Sequence, residues 1–585
     1  MFRIFRNFRK QDLLLLLGGV IAVVLQVGLE LKMPDYMSEI TKLVETEGSE
    51  MSDIMRNGGL MLACALGSFV ANVGACFFFA TASASLSMNT RKKLFDKVEK
   101  LGMHEIKSFS TSSLITRTTN DITQIQMFVA MGAQMLVRAP LTAIWAITKI
   151  AGKSWQWSTI TGIAVVIMLS MIITIMSIVI PRFKIIQKLT DKLNGITREN
   201  LTGIRVVRAF NAEKYQEKKF AKTNEELTKI NLFNAKLMAI LSPTMYFVMN
   251  GVTLAIYVSG AYIIANAAAS DKLTLFSDMI VFSSYAIHVI ISFLMVAITL
   301  MILPRAQVSA ARINEVLDTK ITIKDGEFAG DTAETGTIEF RNVSFKYPDA
   351  EEYLLRNISF QANKGETVAF VGSTGSGKST LINLVPRFYD VTDGEVFVDG
   401  IDVREYRQDA LHNKIGYISQ KAVIFDDTVA KNVAYGDNGK GKKSEKAIKD
   451  AINIAQAKHF VEKMPKQYDS HLAQGGTNIS GGQKQRLSIA RAIARDPEIL
   501  IFDDSFSALD YKTDAALRKD LEKHASDKTK LIVAQRVGTI MHADKILVLD
   551  KGECVGIGTH KELMKNCEVY QQIALSQLTK EELNV

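Results

Sequence analysis

A chain of 585 residues, 48% of them hydrophobic and 22% charged, is too long for a single small module and too apolar for a disordered, collagen-like or disulfide-scaffold protein. The 70 Lys and Arg against 61 Asp and Glu give a formal net charge of +9. With a mean hydropathy of +0.10, that excess leaves a nucleic-acid binder and a membrane protein both open until its distribution is known.

Taken in chain order, Arg3, Arg6, Arg9 and Lys10 precede the first of six long apolar stretches, near residues 13–33, 60–84, 128–150, 158–180, 237–267 and 275–303. About 20 apolar residues suffice to cross the hydrocarbon core, and six such runs leave no polar face for water, so they read as membrane spans. The first run lacks a small-residue cleavage site and has five successors, which excludes a secretory signal. Basic residues fall on alternate connections: 4 in residues 1–12, 7 in 85–127 and 13 in 182–236, against 2 with 6 acids in 34–57. Both termini are therefore expected in the cytoplasm. The excess over acids in those three cytoplasmic segments is +3, +3 and +7, so the basic charge records membrane orientation and no nucleic-acid partner is expected. The two long cytoplasmic connections, 85–127 and 182–236, are rich in helix formers and read as continuations of the membrane helices. Cys64, Cys76, Cys554 and Cys567 have no metal-type spacing and read as packing residues.

Residues 1–318 thus form an expected transmembrane domain and 319–336 a polar linker. From 337 to 585 short β-branched strands alternate with helices ("TVAFVG", "KIGYISQ", "EILIFDD", "KLIVAQ"), the pattern of an α/β domain with a mainly parallel sheet. Within it, Gly372-Ser-Thr-Gly-Ser-Gly377-Lys378-Ser379 matches G-x-x-x-x-G-K-[ST] between a strand and a helix. Glycines there let backbone N–H groups wrap phosphates, Lys378 reaches the outer phosphates and Ser379 can ligate Mg²⁺. The apolar run Ile499-Leu-Ile-Phe502 ends on Asp503, a carboxylate suited to the same metal. Between them Ile479-Ser480-Gly481-Gly482-Gln483 opens a helix, a second N–H-rich anion site.

The order of phosphate loop, Gln420, "ISGGQ", "ILIFD" and "SALD" (Ser507 to Asp510) resembles the nucleotide-binding domain of ATP-binding-cassette (ABC) transporters. With six spans ahead of it, the chain resembles the exporter type, a half-transporter that works as a dimer. The resemblance implies an all-α six-helix transmembrane domain fused to an α/β P-loop nucleotide-binding domain, with ATP and Mg²⁺ as cofactors. It implies that Tyr347 stacks on adenine, that Gly372, Ser373, Thr374, Gly375, Ser376, Gly377, Lys378, Ser379 and Thr380 hold phosphates, and that Ser379, Asp503 and Gln420 face the metal. Ser480, Gly481, Gly482 and Gln483 would act on a nucleotide held by the partner chain. ATP closes such a pair and hydrolysis reopens it, biasing alternating access of a membrane cavity.

Two positions depart from the family pattern. Asp504 stands where a glutamate polarises the attacking water, and its arm is one methylene shorter; displacement by about 1 Å can cost on the order of 10²-fold in rate. Gln535 stands where a histidine is expected; it donates a hydrogen bond but cannot become cationic. Gln474 replaces a glutamate found in many homodimeric relatives. These departures resemble the degenerate subunit of heterodimeric multidrug-type exporters. The expected partner is a second half-transporter that carries the missing Glu and His, and the expected cargo is a hydrophobic or amphipathic small molecule leaving through the lipid bilayer of the plasma membrane. A homodimeric lipid or peptide exporter, or a nucleotide-gated membrane subunit that does not pump, would carry the same motifs. Gln26, Glu30, Gln134, Arg138, Asn250 and His288 are polar residues inside the spans, expected to face the bundle interior or a cavity. Met245, Tyr246, Phe247, Met249, Phe282 and Tyr285 are expected to face lipid or to pack rather than to line a pocket.

Overall fold

The computed structural model describes residues 2–579 and 583, apart from Glu47, Asp331, Asp437 and Lys440. The expected outer limits of the two domains, Met1 and Val585, lie outside them. Contacts divide the chain into one unit of Met1–Glu99 with Ser110–Thr319 and a second of Lys100–Phe109 with Lys320–Val585. The short segment Lys100–Phe109 thus groups with the nucleotide domain although its neighbours in sequence belong to the membrane unit.

The membrane unit contains six helices long and apolar enough to span a bilayer. Met51–Val98 has 48 residues, about 72 Å at 1.5 Å per residue, more than twice the hydrocarbon thickness of about 30 Å. Its excess length therefore continues beyond the membrane. Only 17% of its apolar window is buried in the protein, while Phe69, Val70 and Phe77 are 64–67% exposed. Apolar surface of that extent needs lipid around it. The buried side of the bundle is built from Val23, Val27, Ala75, Phe79, Ala146, Trp157, Phe282 and Tyr285, with the Trp157 and Phe282 rings 5.5 Å apart. Phe282 and Tyr285 are packed in the bundle and Tyr246 and Phe247 are exposed on its surface, in keeping with packing and lipid-facing positions.

Three details go beyond simple spans. The first apolar run is two helices, Lys10–Glu30 and Met33–Glu45, restarting at Pro34, whose missing N–H suits a first helical turn. The third run opens on a π-turn, Phe128–Gly132, and carries Pro140 within Ala133–Ile150. The first cytoplasmic connection is not one continued helix: Met51–Val98 ends and the chain re-forms Met103–Ser108, Thr111–Thr118 and Asn120–Met127. Gly102 precedes the first of these, and Ser110 caps the second through the Ser113 N–H. The second connection stays helical, in Trp155–Thr202 and Glu213–Ala265, interrupted around Gly203 and Asn211.

The nucleotide unit has two main sheets. Strands β1 (Ile338–Phe345), β2 (Leu355–Ala362), β4 (Asp393–Val398) and β5 (Ile401–Asp402) form an antiparallel sheet in the order β2-β1-β4-β5. Strands β3 (Thr367–Gly372), β6 (Ile415–Ile418), β9 (Ile499–Asp503), β10 (Thr529–Val533), β11 (Lys545–Asp550) and β12 (Glu553–Gly558) order as β12-β11-β3-β10-β9-β6. Only the β11–β12 pair of that sheet is antiparallel. Two-residue strands β7 (Asp427–Thr428) and β8 (His471–Leu472) pair separately. Strands β9 and β10 are buried at every residue, as expected of central parallel strands covered on both faces. Residues 319–336 have little regular structure, but Gly326 and Phe328 donate N–H bonds to Tyr406 and Glu405 carbonyls at 3.0 and 2.9 Å. The Phe328 ring meets Tyr406 edge-on at 5.2 Å, so an aromatic anchor ties this polar segment to the nucleotide unit.

Candidate functional site

Parallel β3, β10 and β9 lie side by side, with Val533 of β10 level with Phe370 of β3 and Asp503 of β9. That register brings the phosphate loop and the two acidic residues at the end of β9 to one edge of the sheet, where ligands of open α/β sheets bind. The loop leaves β3 at Gly372, where a Cβ would stand 2.0 Å from the Leu549 carbonyl oxygen. It re-enters a helix, Lys378–Asn383, from Gly377 at φ +93°. Both positions exclude other residues, one by contact and one by backbone conformation.

Lys378 Nζ donates to the carbonyl oxygens of Gly372 and Ser373 at 2.8 and 2.7 Å and lies 3.4 Å from Ser376 Oγ. The ammonium therefore sits in the loop it is meant to serve. Burial lowers its pKa, partly offset by the Asp504 charge. Ser379 Oγ–H donates to Asp503 Oδ1 at 2.6 Å, and Tyr417 OH to Asp503 Oδ2 at 3.4 Å. Burial pushes the Asp503 carboxyl up and those two hydrogen bonds oppose it. A hydroxyl and a carboxylate in contact make a hard-oxygen donor pair that fits Mg²⁺, which would supply positive charge against the phosphates. Ser379 and Asp503 would hold it.

Asp504 follows in a left-handed conformation, φ +47°, its N–H donating to the Val533 carbonyl at 3.0 Å. Its side chain is buried. Gln535 Nε2 donates to Asp504 Oδ2 at 2.7 Å and Gln420 Nε2 to the same oxygen at 3.3 Å. Burial raises the Asp504 pKa and the Asp503 charge adds to it, against hydrogen bonds from Gln420, Ser507 and Gln535. Three residues distant in sequence, Gln420, Asp504 and Gln535, thus share one oxygen.

Tyr347 lies at the other flank. Its hydroxyl pairs with Thr380 Oγ1 at 2.9 Å, and its ring meets Phe345 and Tyr389 edge-on at 5.0 and 5.3 Å. Ser480 caps the helix Gly481–Ala494 in a capping box with Gln483. Among the described residues no hydrogen bond or ion pair joins Ser480, Gly481, Gly482 or Gln483 to the phosphate loop, and Ser480 and Gly481 are exposed.

Two contributors escape a reading by motif. Tyr417 on β6 bonds both Asp503 and Asn383. Lys107, from Met103–Ser108, sits 5.2 Å over the Tyr347 ring and 5.6 Å over Tyr389, and a hydrogen bond to Tyr389 raises its pKa. Neither residue has a partner nearby in sequence, so only the fold reveals them.

A nucleotide-handling domain carried on six membrane-crossing helices is the construction of a transport ATPase. Comparison with known proteins makes the class particular. Residues 14–302 match the ABC transporter transmembrane region and residues 355–507 the ABC transporter domain. An uncharacterized ABC transporter ATP-binding protein of Mycobacterium tuberculosis is 36% identical over 93% of each chain. YfiB of Bacillus subtilis, another uncharacterized ABC transporter ATP-binding protein, is 36% identical over 90% of each. An ATP-dependent lipid A-core flippase of Syntrophus aciditrophicus is 32% identical over 86% of this chain and 82% of that one. A bacterial Atm1-family ABC exporter solved with ATP bound shares the fold, with TM-score 0.79 at 23% identity, covering 96% of this chain and 98% of the other.

The chain belongs to the ABC transporter family. It is a multi-pass protein of the bacterial plasma membrane, an ABC exporter half-transporter of the type that acts as a dimer.

Proposed function

We propose that this chain is one subunit of a heterodimeric exporter that moves hydrophobic or amphipathic compounds out of the cytoplasm. Its own site binds ATP with Mg²⁺ and hydrolyses it slowly, and its Ser480–Gln483 segment completes the competent site of its partner. The observation that carries the reading is the shared hydrogen bonding of Asp504 Oδ2 by Gln535 and Gln420. The carboxylate that should polarise water sits on a short arm, in the left-handed backbone of a buried strand end. The residue beside it is an amide, which contributes a donor but no positive charge as the γ-phosphate becomes more anionic.

Tyr347 is the adenine platform in this reading, residues 372–380 cradle the phosphates, and Ser379, Asp503 and Gln420 address the metal. The free face of Ser480 and Gly481 supports their use by a nucleotide bound elsewhere. Relatives named as lipid A-core flippases favour a lipid-like, amphipathic cargo.

The test is ATPase activity of the chain assembled with a half-transporter that carries Glu and His at the positions of Asp504 and Gln535. Ser480→Arg is expected to lower turnover by about 10²-fold or more, the scale of losing preorganised transition-state donors. Asp504→Asn is expected to change it less than about threefold, because the chemistry runs at the other site. Equal losses from the two substitutions would refute the division of labour.

A further inference from the structure

Two side chains from two membrane helices pair inside the apolar spans. Arg138, on Ala133–Ile150, donates from Nη2 to both carboxylate oxygens of Glu30, on Lys10–Glu30, at 3.1 and 3.0 Å. One helical turn before Glu30, Gln26 is 3% exposed and its Oε1 has no hydrogen-bond partner. The rest of the Arg138 guanidinium, Nε and Nη1, has no partner among the described residues either. The Glu30 and Arg138 side chains are 22% and 23% exposed, so the pair is reachable from outside the unit.

If the ion pair served only to clamp helices, the usual arrangement would be a two-nitrogen fork that satisfies the guanidinium, because unmet donors in an apolar setting are costly. Here one nitrogen serves both oxygens and the remaining donors are left for something else. The neighbouring backbone is also adjustable: the π-turn Phe128–Gly132 lies just before this helix, and Pro140 removes one helical N–H two residues after Arg138.

The sign of the charges selects the cargo. The Glu30–Arg138 pair is neutral overall. An anionic group added at Arg138 leaves a net negative charge in low dielectric, and a cation added at Glu30 leaves a net positive one. A cargo that carries both charges gives each partner a counter-ion and keeps the sum at zero.

We propose that Glu30 and Arg138 form the headgroup site for a zwitterionic amphiphile: an apolar body bearing a phosphate or carboxylate that accepts from Arg138, and a cationic nitrogen that meets Glu30. This deepens the exporter reading and rests on it.

The test uses the full chain with its partner half-transporter in a non-ionic maltoside detergent. Photoreactive amphiphiles with one common alkyl chain carry a phosphocholine, a sulfate or a trimethylammonium head. A two-chain phosphocholine probe separates a membrane lipid from a single-chain compound, and labelling of either phosphocholine probe supports the site. The wild type is expected to label with phosphocholine about tenfold above the two singly charged heads, a difference of about 1.4 kcal/mol. Glu30→Gln is expected to shift the preference to sulfate and Arg138→Gln to trimethylammonium. The exchange E30R/R138E restores the pair and with it the phosphocholine preference. An unchanged headgroup order across these variants would overturn the proposal, as would loss of thermal stability in the single variants with no change of preference. Labelling by a photoreactive ATP analogue reports folding of each variant independently. Failure of the exporter reading would show as absent ATP-dependent transport with headgroup preference intact; failure of this inference, as transport without headgroup preference.

Discussion

The two sides of the nucleotide site are built to different standards. On the phosphate side Lys378 lies inside its loop, Ser379 bonds Asp503, and Gly372 and Gly377 stand where only glycine fits. On the water side, Asp504 and Gln535 touch each other at 2.7 Å but differ from the family's glutamate and histidine in reach and in charge. In the proposed division of labour, holding a nucleotide and splitting it are separable properties of one edge of one sheet. A site of this kind can keep ATP as a bridge between subunits while a second site turns over.

That contrast can be broken from the phosphate side first. Lys378→Ala removes a half-buried ammonium, and equilibrium binding is expected to show about 100-fold weaker ATP affinity, the worth of two charge-assisted hydrogen bonds. From the water side, the double substitution Asp504→Glu with Gln535→His is expected to raise single-turnover hydrolysis at this chain's own site by about 10²-fold, the scale of recovering about 1 Å of placement. Both effects should be read on the assembled transporter.

The flank is milder. Tyr347→Ala is expected to weaken ATP binding by about tenfold, as for loss of one stacked base. Tyr347→Phe keeps the ring, loses the bond to Thr380 and should cost only about threefold.

The smallest expected effect is on stability. Burial raises the folded-state pKa of Asp503 above its ordinary value. A carboxyl so raised binds its proton more readily folded than unfolded, so the folded state gains stability as pH falls through the raised value and that gain is complete below the unfolded one. At neutral pH without Mg²⁺ the ionised group is unfavourable. Asp503→Asn, whose side-chain oxygen still accepts from Ser379, should raise the Tm slightly at pH 7 in chelator, and the difference should vanish near pH 4. Added Mg²⁺ should reverse the order of the two proteins.

Much of this architecture is readable from the sequence because its signals are local. Six apolar runs, the spacing of Gly372, Gly377 and Lys378, and an apolar strand ending at Asp503 each need only a short window. The convergence of Gln420, Asp504 and Gln535 is not local. It follows from the β3-β10-β9-β6 order, which places the ends of β6, β9 and β10 together. The breaks in the first cytoplasmic connection escape a local reading for a related reason: its residues favour helix, and the interruptions fall at Gly102, Ser110 and Thr119. Lys107 joins the aromatic flank through a tertiary contact that no periodicity announces. Of the polar residues in the spans, Glu30 and Arg138 pair, and Gln134 bonds Asn72 at 3.3 Å. Asn250 instead lies on an exposed face of this single chain.

The most direct measurement is a single-turnover assay of the purified chain alone with Mg²⁺ and radiolabelled ATP, run beside its Asp504→Asn variant. The account predicts that both proteins bind the nucleotide and that it stays largely intact in both, at indistinguishable rates. Rapid hydrolysis by the unaltered chain, abolished by Asp504→Asn, would contradict it.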